Sequence, residues 1–130
     1  MLCPCFSGLP LSDCCGPIIA HTSAPTALAL MRSRYSAYAM GNIDYLLATH
    51  DPETRDVSKR DSMESWSKST DWTGLTIVAT EKGGTEDETG VVEFIAHGVT
   101  NGKLFALHER SRFRKRDGAW YYVDGTYNGR

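Results

Sequence analysis

The spacing of apolar positions along the chain changes once, from a helical period to a strand period. Upstream of Gly74, apolar residues recur every three or four positions in SAPTALALMRSRYSAYAMGN, in a stripe made of Leu28, Met31, Tyr35 and Tyr38. This spacing predicts an amphipathic helix with one buried face. Downstream of Gly74, apolar and polar residues alternate, which predicts strands.

Residues with known preferences for helix ends support this helix and predict two more. Pro25 lies near its first turn, and Gly41 stands where a C-terminal cap belongs. Asn42 is suited to cap a second, shorter helix in NIDYLLATH. The polar segment SKRDSMESWSKST is expected to form a surface helix that turns Met63 and Trp66 towards the core.

Four strands are predicted after Gly74, in the segments LTIVATEK, GVVEFIAHGVT, KLFALHERSRFRKR and AWYYVDGTY. The last three are separated by Asn101-Gly102 and Asp117-Gly118, which are strong signals for two-residue hairpin turns. Helices followed by an antiparallel meander predict an α+β fold. Its helices are expected to pack on one face of a four-stranded antiparallel sheet.

Composition and charge narrow the class of protein. With 130 residues, of which 41% are apolar, the chain is ordinary for one globular domain. Its formal net charge of −2 gives no overall attraction to nucleic acid or to an anionic membrane. No apolar run approaches the roughly 18 residues of a membrane span. The N-terminus lacks the basic region and unbroken apolar core of a signal peptide. We therefore expect a cytoplasmic protein with no membrane partner.

The cysteines are confined to one short arm, at Cys3, Cys5, Cys14 and Cys15. Disulfides explain this pattern poorly, because pairs of such near neighbours would close small strained rings and the cytoplasm is reducing. Four inert buried thiols are also disfavoured, because so short an arm is not expected to bury them. The remaining explanation is a metal site.

Four thiolates at about 2.3 Å from one ion form a closed tetrahedral zinc site, which leaves no open position for a substrate. Ser7-Gly8 and Gly16-Pro17 are expected to turn the chain around the ion. Iron is the main competing metal, since tetrahedral sulfur sites suit both. The sequence therefore predicts that the four cysteines bind Zn²⁺, and that the metal supplies much of the folding free energy of the arm.

The arm resembles the SEC-C motif, a zinc knuckle found at the C-terminus of the SecA translocation ATPase and on many other proteins. The resemblance rests on Cys3-Pro4-Cys5, Ser7-Gly8 and Asp13-Cys14-Cys15-Gly16. It implies zinc ligation by the four cysteines and, as in SecA, docking of a protein partner. The chain departs from the motif at Phe6, where glycine is usual, and at Leu9-Pro10-Leu11, where basic residues are common. This apolar tip suits packing on the chain's own body or on an apolar partner.

Strings in the remainder of the chain resemble the YchJ family, bacterial proteins that join a SEC-C knuckle to an NTF2-like domain. These strings are APTALALMRSRYSAY, YLLATH, LHERSRF and WYYVDG. The resemblance implies a zinc knuckle over residues 1–20 and an NTF2-like domain over residues 21–130. It further implies a curved sheet that wraps round the helices as a cone and can leave a pocket.

The third predicted strand places one carboxylate among apolar side chains. Its inward face is expected to carry Phe105, Leu107, Glu109, Ser111 and Phe113. An unpaired buried carboxylate is costly, so Glu109 is expected to pair with Arg32 or Arg34 of the first long helix. The pair is either a structural lock between helix and sheet or part of a functional site. In the functional case, Glu109 anchors a ligand or acts as acid or base in a cone lined by Tyr38, Trp66 and Trp72.

The rest of the sequence adds no second chemical centre. The alternating arginines from Arg110 to Arg116 lack stacking aromatics on their face of the strand, so nucleic-acid binding is not expected. We therefore predict a zinc-binding adaptor or binding module, with a protein partner at the knuckle or a small ligand in the cone. The alternative is a small isomerase, dehydratase or hydrolase that uses Glu109. Because catalysis needs convergent polar groups and only one inward carboxylate is evident, binding is favoured over catalysis.

Overall fold

The computed structural model describes residues 1–127, and within this range the predicted α+β fold is confirmed. The helices are α1 (Cys15–His21), α2 (Ala27–Met40), α3 (Ile43–Ala48) and α4 (Arg60–Ser69). Short 3-10 turns span Leu11–Asp13 and Val57–Lys59. The strands are β1 (Thr70–Lys82), β2 (Thr89–Thr100), β3 (Lys103–Arg116) and β4 (Ala119–Tyr127).

The largest differences from the sequence prediction are at the start of β1 and at the end of the cysteine arm. Strand β1 begins at Thr70 rather than at Leu75, so Trp72 lies in the sheet. Gly16 and Pro17 do not form a separate turn, because they lie in the first turn of α1, which begins at Cys15. Proline is well suited to a first helical turn, where its missing N–H has no helical acceptor.

The caps predicted at Gly41 and Asn42 are confirmed, and Thr26 is a further cap that was not predicted. Helix α2 begins after Thr26, whose hydroxyl accepts a hydrogen bond from the Ala29 N–H at 3.0 Å. It ends at Gly41, which has a φ of 74°, a left-handed conformation that costs glycine little. The Asn42 side chain then caps α3 by accepting from the Tyr45 N–H at 3.1 Å.

The four strands form one antiparallel sheet in the order β1-β2-β3-β4. Both predicted hairpin turns have two successive residues with positive φ, at Asn101-Gly102 and Asp117-Gly118. This is the type I′ geometry, which matches the right-handed twist of the flanking strands.

Bulges interrupt the register of both edge strands. In β1 the extra residues are Thr73 and Val78, and in β4 the extra residue is Val123. A bulge bends its strand and shifts the alternation of side chains by one position. In β4 this shift brings Tyr122, Gly125 and Tyr127 opposite the inward-facing Phe113, Ser111 and Glu109 of β3.

The core lies between α2 and the inner face of the sheet, and the cysteine arm joins it. Cys3, Cys5 and Cys15 are at most 4% exposed and belong to the same buried cluster as Leu30 and Phe94. The expectation that the arm is too short to bury its thiols was therefore wrong, because α2 supplies the covering surface. No helix within residues 1–127 is long and apolar enough to cross a bilayer.

Candidate functional site

The arm folds as a compact loop held by its own backbone. The Cys3 N–H donates to the Leu9 carbonyl at 2.9 Å, and the Leu11 N–H donates to the Met1 carbonyl at 3.0 Å. Between them the chain reverses through Phe6 and Gly8, both at positive φ. The loop and the start of α1 together bring the four cysteines to one point.

The sulfur positions fit a tetrahedral metal ion. All four Sγ atoms lie within 4.8 Å of one another, and the Cys5–Cys14 and Cys14–Cys15 separations are 3.6 Å and 3.9 Å. Metal–sulfur bonds of about 2.3 Å place tetrahedral sulfurs about 3.8 Å apart. A disulfide needs about 2.0 Å, and all four cysteines are free thiols. The donor set and its spacing therefore suit a thiolate-bound metal.

The thiols influence one another's ionisation. A hydrogen bond from Cys15 is the main cause that lowers the pKa of Cys5 to about 4. The same hydrogen bond raises the pKa of Cys15, and burial raises the pKa of Cys14. One thiolate thus opposes ionisation of its neighbours, and a divalent cation would relieve that opposition.

Polar groups of α2 and of the loop surround the sulfurs. Arg32 Nη1 donates to the Cys5 carbonyl at 3.2 Å and lies 3.8 Å from the Cys5 sulfur. The Ser36 hydroxyl lies 3.5 Å from the sulfur of Cys3, and that of Ser7 lies 3.2 Å from the sulfur of Cys14. Such partners orient metal ligands and stabilise their negative charge.

The apolar tip of the knuckle is divided between the core and solvent. Leu11 packs against the buried cluster. Phe6 and Leu9 are each 50% exposed, although the Phe6 ring meets the edge of Tyr35 at a centroid distance of 6.1 Å. The expected packing of this tip on the chain's own body is therefore only partial.

A second candidate site is an open cavity of about 360 Å³ between α2, α4 and the inner face of the sheet. Tyr38, Trp66 and Trp72 form an aromatic wall at one end of it, with ring centroids 4.9–5.6 Å apart. The Trp72 indole Nε1 is buried without a hydrogen-bond acceptor among the described residues. The sequence had placed these three rings in the cone, and the structure brings them together.

Glu109 lies on the wall of this cavity and is 7% exposed. Its Oε2 atom accepts hydrogen bonds from the Ser111 hydroxyl at 2.5 Å and from the Tyr122 hydroxyl at 3.2 Å. The carboxylate lies over Gly125, where a Cβ would overlap it. Burial, reinforced by the Glu109 charge, raises the pKa of Tyr122.

Arg34 also lines the cavity and is buried. Its Nη1 donates to the Leu46 carbonyl and to the Thr49 hydroxyl, both at 2.7 Å. Its guanidinium lies over the ring of Tyr122, 4.7 Å from the centroid. Burial lowers its pKa, and the nearby tyrosines and Glu109 act against that effect.

The expected ion pair between Glu109 and an arginine does not form within residues 1–127. Arg32 is bound to the knuckle, and Arg34 is bound to Leu46 and Thr49 at the end of α3. The two arginines are two residues apart on a helix, so their side chains point about 200° apart and serve opposite faces. Ser111 and Tyr122 take the place of the expected cation.

The basic run of β3 lies on the outer face and is largely neutralised there. Arg114 and Arg116 both bind the buried Asp51 and the exposed Glu53. Arg112 pairs with Asp124 at 2.5 Å, as part of an exposed ion pair. These pairs give the alternating arginines acidic partners within the chain.

Sequence reasoning did not find the contributions of Gly125, Tyr122 and Asp51. Gly125 and Tyr122 reach the Glu109 carboxylate because Val123 shifts the alternation of β4, and no pattern in the sequence marks that bulge. No pattern in the sequence marks Asp51 either, although its buried carboxylate accepts hydrogen bonds from two arginines of a distant strand.

Comparison with known proteins adds the family. A family model described as "YchJ, middle NTF2-like domain" matches residues 26–125. A "UPF0225 protein" of Serratia proteamaculans (strain 568) is 49% identical over 128 residues, which cover 96% of this chain and 82% of that protein.

Two solved structures of SEC-C motif containing proteins are similar along almost the whole chain. The solution structure from Rhodopseudomonas palustris has 42% identity and a TM-score of 0.86, and covers 97% of this chain and 98% of that one. The crystal structure from Psychrobacter arcticus has 32% identity and a TM-score of 0.80, and covers 98% of this chain and 83% of that one. With its cysteine knuckle packed on an NTF2-like body, the chain belongs to the YchJ family.

Proposed function

We propose that this protein is a zinc-stabilised binding module whose NTF2-like cavity holds a small ligand. The observation that carries the proposal is that Glu109 and Arg34 both face the open cavity without binding each other. Buried charges are normally paired, because desolvation is costly. Two buried charges that line one cavity without pairing are typical of a site that a ligand completes.

The walls of the cavity support a ligand of modest size. Its volume of about 360 Å³ lies at the lower end of the range for small-molecule sites. Mostly apolar and aromatic walls with a few buried polar groups are also typical of such sites. The cavity lies away from the cysteines, so the knuckle acts as a support rather than as a wall of the ligand site.

Zinc is the metal that this proposal assigns to the knuckle. A closed set of four thiolates is the usual structural zinc site, and it gives the ion no position for a substrate. The four cysteines would hold the ion, and Arg32 would offset part of the excess negative charge. When bound, zinc would supply cross-linking of the arm and no reaction step.

Elemental analysis of the reduced, purified protein tests the metal. We expect one zinc per chain, and removal by a strong chelator should lower the Tm of the whole protein, because the cysteines share the core of the body. A Cys14→Ser, Cys15→Ser variant should bind no zinc. One iron per chain, or a Tm that chelation leaves unchanged, would contradict the proposal.

Native mass spectrometry of the purified protein tests the cavity. We expect a bound small molecule, lost on denaturation, in the wild-type protein. The Ala96→Leu variant fills the cavity from β2 and should lose this molecule, whereas Ala106→Leu, on the exposed outer face, should retain it. Circular dichroism would verify that both variants fold. Equal occupancy of the two variants would overturn the assignment of the cavity.

Acid–base catalysis by Glu109 is the second candidate function. It is favoured by the observation that no arginine within residues 1–127 binds the carboxylate and that the Tyr122 hydroxyl lies beside it as a second polar group. Chemical change of the co-purified molecule by the wild-type protein, but not by Glu109→Gln, would support catalysis. A molecule that remains unchanged would support binding alone.

Docking of a protein partner through the knuckle stays a prediction. A pull-down that compares the wild-type protein with the Cys14→Ser, Cys15→Ser variant tests it. Recovery of the same partners by both proteins would show that the knuckle is not the docking surface.

A further inference from the structure

We infer that the cavity selects an uncharged aromatic molecule whose polar edge carries a hydrogen-bond acceptor beside a hydrogen-bond donor, as in an aromatic carboxamide. This inference rests on the proposed function and names the class of its ligand. It follows from two open polar groups of the cavity, on Glu109 and Arg34, from their charges and from the aromatic wall.

The first open group is an acceptor. Both hydrogen bonds to Glu109 from the described residues, those of Ser111 and Tyr122, go to Oε2. No donor among residues 1–127 lies within hydrogen-bond distance of Oε1. This atom is not fully buried, since Trp72 Nε1 alone is both buried and unpartnered in this part of the chain. Oε1 is therefore open to the cavity, where it can accept from an N–H or O–H of a ligand.

The second open group is a donor. Arg34 uses Nη1 for the carbonyl of Leu46 and the hydroxyl of Thr49. Its Nε and Nη2 atoms have no hydrogen-bond acceptor among residues 1–127. Like Oε1 of Glu109, they are not fully buried. Because Arg34 lines the cavity, these N–H groups can donate to a ligand oxygen or nitrogen.

The charges of the two groups favour an uncharged ligand. Arg34 and Glu109 carry opposite charges, and so do Lys59 and Asp56, which line the same cavity, so the charges on its wall balance. An anionic ligand would gain from Arg34 but would repel Glu109, and a cationic ligand would do the reverse. Either would also lose its hydration on burial, whereas an uncharged acceptor–donor edge satisfies both side chains without adding charge.

The aromatic wall favours a ring as the apolar part. Tyr38, Trp66 and Trp72 already meet edge to face or at a tilt, and further rings of Tyr35 and Phe94 line the same cavity. An aromatic ligand can continue this pattern of ring contacts, which stabilises the complex beyond the burial of apolar area.

Four probes of nearly equal shape test the inference. Benzamide is uncharged with an acceptor and a donor, benzoate is anionic, benzamidinium is cationic, and toluene has no polar edge. We expect ligand-observed NMR on the full chain, freed of any co-purified molecule, to give benzamide a Kd at least tenfold below those of the other three. Competition by benzamide against the co-purified molecule, and its loss in Ala96→Leu, would place it in the cavity.

A charge variant provides a second, independent readout. Glu109→Gln removes the negative charge at almost constant shape, so Arg34 becomes unbalanced and benzoate should bind at least tenfold more tightly than it does to the wild-type protein. The matched control is Glu86→Gln, in the exposed loop between β1 and β2, which should change no Kd.

The outcomes separate this inference from the proposed function. If toluene or benzoate binds the wild-type cavity most tightly, the ligand class is wrong, while the cavity remains a ligand site. If no probe binds and no molecule co-purifies, the proposed function fails and this inference fails with it. If Glu109→Gln leaves the affinity for benzoate unchanged, the charge argument is overturned.

Discussion

Gly125 makes room for the carboxylate of Glu109 on the inner face of the sheet. It pairs with Ser111 in the β3–β4 ladder, and a Cβ at this position would overlap the carboxylate of Glu109. Glycine is therefore required at this strand position because any side chain would overlap the buried carboxylate.

The Gly125→Ala variant should lose about 1–3 kcal/mol of unfolding free energy, because the added methyl group must displace a buried, hydrogen-bonded side chain. Urea unfolding measures this loss. Gly84→Ala is the matched control, since its Cβ would meet only a side-chain oxygen at 3.4 Å. In a Glu109→Ala background the cost of Gly125→Ala should fall, and an unchanged cost would show that the overlap is not its cause.

At the scale of residues, the sequence predicted the position of Glu109 but not its partners. Period-two alternation in β3 is enough to turn Glu109 inward, and its low exposure confirms this. Glu109 accepts from Ser111 and Tyr122 rather than from Arg34, because Arg34 donates instead to acceptors at the end of α3. That placement is set by tertiary packing, which local spacing does not encode.

Helix α2 serves both candidate sites from opposite faces. Arg32 and Ser36 contact the cysteines, whereas Arg34 and Tyr38 line the cavity. This division follows from the helical repeat, because residues four apart share a face and residues two apart do not. The helix therefore couples the position of the knuckle to the wall of the cavity.

Removal of Arg32 should weaken metal binding, because four thiolates around a divalent ion leave an excess of negative charge beside its guanidinium. We expect Arg32→Met to lower the zinc affinity by about 10–100-fold, the usual effect of losing a group that supports metal ligands. Competition with a chromophoric chelator measures this affinity. Arg60→Met, in the exposed ion pairs of α4, should leave the affinity as it is in the wild-type protein.

At the scale of elements, the predictions succeeded where the alternation is regular and failed where it is not. Strand β3 spans the residues predicted for it, and so does β4, because their turns carry Gly at the required positions. The first residues of β1 were missed because the bulge at Thr73 disturbs the alternation around Trp72. Helix α1 was missed because Gly16-Pro17 is more typical of turns.

Asp51 connects distant parts of the whole molecule. Its buried carboxylate follows α3 and accepts from Arg116 Nε and Arg114 Nη2 of β3, both at 3.0 Å. Its backbone N–H donates to the Tyr122 carbonyl of β4 at 2.7 Å. One residue thus joins the helical layer to two strands, next to the cavity.

Asp51 should also make the stability depend on pH. Hydrogen bonds from Arg114, chiefly, and from Arg116 lower its pKa from 3.8 to about 2. The pKa of Asp51 is lower in the folded than in the unfolded protein, so its ionised carboxylate stabilises the fold. This contribution to the free energy of unfolding is complete above about pH 4 and is lost as the pH falls towards 2. We expect urea unfolding free energies of the wild-type protein to decline across this range.

The Asp51→Asn variant should be less stable than the wild-type protein by about 1–3 kcal/mol at pH 7, and should show a shallower decline below pH 4. Asp124→Asn breaks an exposed pair with Arg112 and should cost less than about 1 kcal/mol. A decline of equal slope in Asp51→Asn and in the wild-type protein would show that other carboxyl groups control acid unfolding.

At the scale of the whole molecule, the sequence predicted the cysteine arm and the helix–sheet body better than the packing of one on the other. The spacing of the cysteines predicted a metal-binding arm, and the change of period predicted the helices and the sheet. That the sulfurs lie in the same buried cluster as α2 was not predictable, because nothing in the arm itself indicates which surface covers it.

The single additional residue in the last strand has a consequence for protein engineering. Excising Val123 would leave Tyr122 and Gly125 two positions apart, and residues at this spacing share a face in a regular strand. Both would therefore still lie beside the carboxylate of Glu109, while β4 would lose the bend that the bulge gives it. A shortened strand of this kind would test whether the curvature of the sheet, rather than the neighbours of Glu109, keeps the cavity open.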